Sequence, residues 1–94
     1  MSNYPIHPNT YKIAKQLGVK IQPSSNPKKK IDIFDWNGQF IFSIGASNYK
    51  DYYIYLETEG REKAEDRRRL YKIRHNKYRN IEGSKSYYAD KLLW

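Results

Sequence analysis

Ninety-four residues with a formal charge of +8, 38% apolar and 16% aromatic content, ten tyrosines and no cysteine describe one small domain at most. Its core is thin, and tyrosines suit such a core because they bury a ring and keep a hydroxyl wet. The missing cysteines exclude disulfides and thiolate metal sites, and no apolar run reaches the ~20 residues a membrane helix needs.

The opening MSNYPIHPN, residues 1–9, is polar with two prolines and reads as an extended arm. Asn9 or Thr10 then caps a short helix, YKIAKQL, which Gly18 ends. GVKIQ alternates Val19 and Ile21 and fits a short strand; PSSNP follows as a loop. The opening also lacks the apolar core of a secretory signal, so the expected location is inside a cell or a particle.

The clearest local signal is KKKIDIFDWNGQFIFSIGA. Two β-rich runs flank Asn37-Gly38, the preferred pair for a two-residue hairpin turn. That turn places Asp35 opposite Phe40, Ile33 opposite Phe42 and Ile31 opposite Ile44, with Phe34 and Ile41, then Trp36 and Gln39, paired on the other face. Both faces are partly apolar. A hairpin alone is marginal in water, so helices are expected to complete it.

Gly45 to Asn48 is a turn. Asp51 opens a short helix, DYYIYLETE, closed by Gly60; the alternative is a tyrosine-studded loop. REKAEDRRRLYKIRHNKYR, residues 61–79, reads as the longest helix. Acids come early and bases late, as the helix dipole favours, and Glu65 is placed to pair with Arg69. NIEGSKS is a loop, and Ser86 caps a last helix, YYADKLLW. The expected fold is a small single α+β domain: a β-hairpin, or three strands if GVKIQ joins it, packed on two to four helices. Residues 1–27 form the arm, first helix and loop; residues 28–94 form the hairpin and helical module.

The segment from Arg67 to Arg79 carries seven Lys and Arg and no acid. On a helix that advances about 100° per residue, Tyr71, Tyr78, Leu70 and Ile73 fall within one half of the circumference. Arg67 and Arg74 lie inside that apolar half. Arg68, Arg69, Lys72 and Arg79 fall on the opposite, wet side. Arg67 and Arg74 are therefore expected to be inward clamps, with Tyr71 and Trp94 among the rings. They would pair with Asp32, Asp35 or Asp51, or stack on Tyr71 or Tyr78. The rival reading has them face a ligand phosphate or a partner carboxylate.

Ile44-Gly45-Ala46, Tyr49-Lys50-Asp51-Tyr52, Arg67 with Arg68, Tyr71, Arg74-His75 and Leu93-Trp94 together resemble a family of short proteins of nucleocytoplasmic large DNA viruses, the giant viruses. Members of that family begin with a hairpin and an "FGA" turn. A Tyr/Asp-rich segment follows, then an "R..Y..RH" helix and a terminal Leu-Trp. The chain departs from the pattern at YYIYLETEG, where the family has a His/Lys/Asp stretch, and in the loop before Trp94. The resemblance implies a viral origin and supplies no catalytic residue.

His7 and His75 stand in no metal-ligand spacing, and there is no nucleophile elbow, P-loop or dinucleotide glycine pattern. No cofactor or metal is expected, and an enzyme is disfavoured because no oriented carboxylate or nucleophile accompanies His75. Two functions remain. The first is a structural virion component, a minor capsid protein binding other virion proteins through Tyr/Arg-rich surfaces, in the particle or in the host cytoplasm and viral factory. The second is sequence-nonspecific binding of DNA or RNA. Arg68, Arg69, Lys72 and Arg79 would follow a phosphate backbone, Lys28, Lys29 and Lys30 would form a second patch, and Trp36 would stack on bases.

Overall fold

Each element starts and stops where local chemistry allows it. The structure, a computed structural model, describes residues 4–94. In chain order it contains α1 (Pro8–Gln16), β1 (Lys20–Pro23), β2 (Lys29–Phe34), β3 (Phe40–Ala46), α2 (Tyr52–Glu59), α3 (Arg61–Arg74) and α4 (Lys85–Leu93). The class is α+β, as expected: four helices and one antiparallel sheet of order β1-β2-β3 among the described residues. The chain forms two compact units, one ending at Tyr49 and the other spanning Lys50–Trp94.

In the first unit the expected arm is shorter than its prolines suggest. Its first three residues lie outside the described residues, and by Pro8 the chain is already helical. Proline suits the first helical position because the amide it lacks would have no partner there. The cap is therefore His7, whose Nδ1 accepts from the Asn9 N–H at 3.0 Å, and not Asn9 or Thr10. At the other end Gly18 adopts φ 76°. Its N–H donates to the Lys15 carbonyl at 3.1 Å, and that of Val19 to Ala14 at 3.0 Å. These two bonds form the Schellman ending that a left-handed glycine permits. They accompany the burial of Ala14 and Val19, and α1 packs on β1.

β1 pairs with β2, placing Ile21 opposite Ile33 and Pro23 opposite Ile31. Ile31 opposes Ile44 and Ile33 opposes Phe42, as the hairpin pattern requires, and Ile31, Ile33 and Ile44 are fully buried. Nearer the tip the register differs from expectation. A bulge between Ile33 and Phe34 sets Phe34 opposite Phe40, not Ile41. The loop has three residues, Trp36 to Gly38. The Asp35 N–H donates to Gln39 at 2.8 Å and the Gly38 N–H to Asp35 at 3.0 Å, and Gly38 has φ 87°. Asp35 explains the change: its Oδ1 accepts from the Asn37 and Gln39 amides, both at 2.9 Å. That carboxylate favours a turn followed by a left-handed glycine over the two-residue loop.

In the second unit α2 is capped as expected. Asp51 Oδ1 accepts from the Ile54 N–H at 3.0 Å. Gly60 separates α2 from α3, and the two helices pack together. The long helix ends earlier than expected, at Arg74 and not Arg79. His75 leaves helical geometry at φ −102°, ψ 10°, and turns follow through residue 84. His75 and Asn76 are modest helix formers, and the turns bring Arg79 back toward α4. Ser84, not Ser86, caps α4, accepting from the Tyr87 N–H at 3.1 Å. Ala64, Tyr52, Leu92 and Leu93 make this unit's small apolar core.

Candidate functional site

The inward face of α3 is a narrow stripe of Ala64, Arg68, Tyr71 and His75, spaced by four, three and four residues. Ala64 has no exposed surface. Tyr71 stacks on Trp94 with centroids 4.7 Å apart and an interplanar angle of 9°. His75 covers Tyr71 at 4.2 Å, and Tyr55 lies 6.3 Å from Trp94. Trp94, Tyr71, His75 and Tyr55 thus form a ring cluster. Burial, reinforced by the nearby Asp90 charge, pushes the Tyr71 hydroxyl up to about 12, with Arg74 pulling the other way.

The cations do not sort as helical periodicity alone suggests. Arg68, expected in water, has its guanidinium 3.6 Å from the Tyr52 ring centroid and 3.8 Å from Glu65. The Tyr52 hydroxyl donates to Glu65 Oε1 at 2.8 Å. Burial, then that bond, raises the Tyr52 hydroxyl above its ordinary value, while Arg68 opposes the rise. Lys72, also expected in water, donates to Asp90 Oδ1 at 2.6 Å. Arg79 and Lys91 approach Asp90 Oδ2 at 3.9 and 3.7 Å. Asp90 is 0% exposed, and its Oδ2 has no hydrogen-bond donor among the described residues. Arg69 alone of the expected stripe is exposed, paired at 2.9 Å with Asp66 and not with Glu65.

The expected inner pair also separates. Arg67 is half-buried with its guanidinium 5.5 Å from the Tyr55 ring centroid, a stacking role on a different tyrosine from those expected. Arg74 faces solvent. The inward face is misplaced by periodicity because Leu70 and Ile73 look like core letters. They are 38% and 64% exposed. The carboxylates expected to meet the arginines have other identified bonds. Asp35 holds the hairpin loop and Asp51 caps α2. Asp32, buried in β2, accepts from Ser24 Oγ and Ser43 Oγ, both at 2.6 Å, and from the Ser25 N–H and Oγ at 3.0 and 3.2 Å. Burial alone pushes the Asp32 carboxyl up, but these donors outweigh it and hold it below the usual carboxylate value.

The residue that gathers the basic segment is Asp90, which sequence reasoning did not single out. A signal existed: Asp90 lies three residues before Leu93, on the apolar side of a short helix. In the first unit, only Lys28 of the lysine patch is exposed. Lys29 is half-buried, and Lys30 is buried with its Nζ 5.3 Å from the Tyr4 ring centroid. Trp36 is 59% exposed beneath Lys20 Nζ at 5.2 Å. It stands near an open groove of about 360 Å³ lined by Lys20, Ile21, Gln22, Phe34 and Gly38.

No cluster of three or more His, Cys, Asp or Glu side chains able to hold a metal ion occurs among the described residues. No helix among them is long and apolar enough to cross a membrane. Comparison with protein-family models, curated proteins and solved structures finds no match to this chain.

Proposed function

We propose that this protein is a non-enzymatic component of a larger assembly and binds neighbouring proteins. The observation that carries this reading is the division of labour on α3 and the turns after it. Arg68, Lys72 and Arg79 engage Tyr52, Glu65 and Asp90 within the chain, while Leu70, Ile73, Tyr78 and Ile81 stand exposed. A phosphate track needs free cations; a protein interface needs apolar anchors with arginine and tyrosine nearby. The resemblance to giant-virus proteins supports a virus particle as the assembly, with the chain as a minor virion component assembled in the host cytoplasm or viral factory.

Nucleic-acid binding is the second reading, favoured by the exposed Trp36 beneath Lys20 and by the solvent-facing Lys28, Arg69 and Arg74. Titration against fluorescent single- and double-stranded DNA at two salt concentrations separates the two. The protein-binding reading expects affinity weaker than ~100 μM at low salt; tight binding with a log–log salt slope near −3 to −4 replaces it with the second reading. Mass spectrometry of purified particles then tests the setting, and absence of the chain from them removes the virion role.

A further inference from the structure

We propose that the solvent face of α3 is a self-association surface. On it a second copy of this chain docks with its own α3 antiparallel, about a two-fold axis at Leu70. The inference rests on the assembly reading and deepens it by naming one partner.

Around the helix axis from Leu70, Ile73 lies about 60° to one side, Asp66 about 40° to the same side and Arg74 about 40° to the other. These residues share an arc of about 100°, on the far side from the Ala64–Arg68–Tyr71–His75 stripe. All four are exposed. Leu70 and Ile73 make an adjacent aliphatic pair, since residues three apart on a helix are neighbours.

The charges around that pair are self-complementary in one orientation only. Asp66 lies four residues before Leu70 and Arg74 four residues after, each about 6 Å along the axis. In an antiparallel pair centred on Leu70, each Asp66 meets the second copy's Arg74. Leu70 packs on Leu70, and Ile73, on the same flank of the helix as Asp66, lies beside the second copy's Asp66. A parallel pair would set Asp66 against Asp66 and Arg74 against Arg74. A nucleic acid would meet an aliphatic centre with a carboxylate beside it. The surface thus fits a closed, isologous contact. Asp66 also accepts from Arg69 of its own helix at 2.9 Å.

Such a contact is smaller than the ~800 Å² per partner of a standard interface, so the dimer is expected to be weak, with a Kd of about 10–100 μM. The +8 charge on each copy repels, so the test is run at physiological salt, where the screening length is about 8 Å.

Sedimentation equilibrium of the full chain from about 1 to 500 μM, spanning the expected Kd, reads the association directly. A concentration-dependent monomer–dimer equilibrium is expected. Leu70→Glu should leave only monomer, with circular dichroism confirming the fold. Asp66→Arg and Arg74→Asp should each weaken the dimer about tenfold, since each removes two symmetric ion pairs. The double variant should return to within about threefold of the parent. A monomer at every concentration, a dimer indifferent to Leu70→Glu, or a double variant no better than the singles overturns the proposal. Presence of the chain in purified particles together with monomeric behaviour would remove self-association alone and leave the assembly reading standing.

Discussion

The two units solve the same problem, a carboxylate in a buried position, in opposite ways. In the sheet unit Asp32 is surrounded by neutral donors, the hydroxyls of Ser24, Ser25 and Ser43 and one amide. In the helical unit Asp90 is surrounded by cations: Lys72 in close contact, and Arg79 and Lys91 at longer range. The sheet supplies a continuous backbone ladder and three fully buried isoleucines. Its carboxylate links the β1–β2 loop to β2 and β3. The helical unit has short helices and a core of Ala64, Leu92, Leu93 and Tyr52. There, stacked rings and ion pairs take over work that aliphatic burial does in the sheet. The basic segment is thus structural on one side and, on the other, presents apolar side chains.

The sharpest contrast between the units should come from Asp90→Ala. It leaves Lys72, Arg79 and Lys91 without their shared counter-charge, and removing one member of a buried pair typically costs about 3–5 kcal/mol. Urea unfolding should show the loss. Trp94→Ala removes the ring stacked on Tyr71 and should cost about 3 kcal/mol, read the same way, with loss of the Trp94 part of the near-ultraviolet dichroism while Trp36 keeps its own.

Acid and base should separate the units further. The Asp32 carboxyl is held below its ordinary value, so its contribution is complete above the unfolded pKa of about 3.9 and disappears as pH falls through the lower folded value. Stability should therefore drop in acid, and Asp32→Asn should reduce that dependence. Tyr71 behaves oppositely. Its hydroxyl is raised to about 12, so its contribution is complete below the unfolded pKa of about 10 and is lost as pH rises through the folded value. Tyr71→Phe should flatten the alkaline limb of the stability profile and leave the acid limb alone.

The smallest expected effect is at the hairpin tip. Gly38 sits at φ 87° with open space where a Cβ would go, so Gly38→Ala should cost about 1 kcal/mol through backbone strain alone. A change in the chemical shifts of Ile31 and Ile44, beyond those near the loop, would show that the turn also sets the distal register.

What the sequence revealed depended on how local the cause was. Asp51 and Gly18 follow from neighbours a few residues away, and the pairing of Ile31 with Ile44 from the alternation of the two runs either side of one short turn; each stands where the pattern placed it. Caps with two candidates in reach were ambiguous: Pro8 moved the first cap to His7, and Ser84 served where Ser86 also fitted. The bulge followed from the Asp35 side chain, which competes with the Asn37-Gly38 signal for control of the loop. The ion pair of Lys72 was hidden for a different reason. Its partner Asp90 is 18 residues away, and no periodicity within α3 announces an ion pair across that separation. Leu70 and Ile73 misled because an exposed aliphatic pair and a buried one have the same letters; only the ring stack of Tyr71 on Trp94 fixes which face turns inward.

The basic segment is anchored within its own unit through Asp90. A double-mutant cycle of Lys72→Ala and Asp90→Ala, followed by urea unfolding, measures that link. A coupling of about 1.5–3 kcal/mol is expected; a coupling indistinguishable from zero, with Lys72→Ala as stable as the parent, would show that Asp90 does not hold the segment.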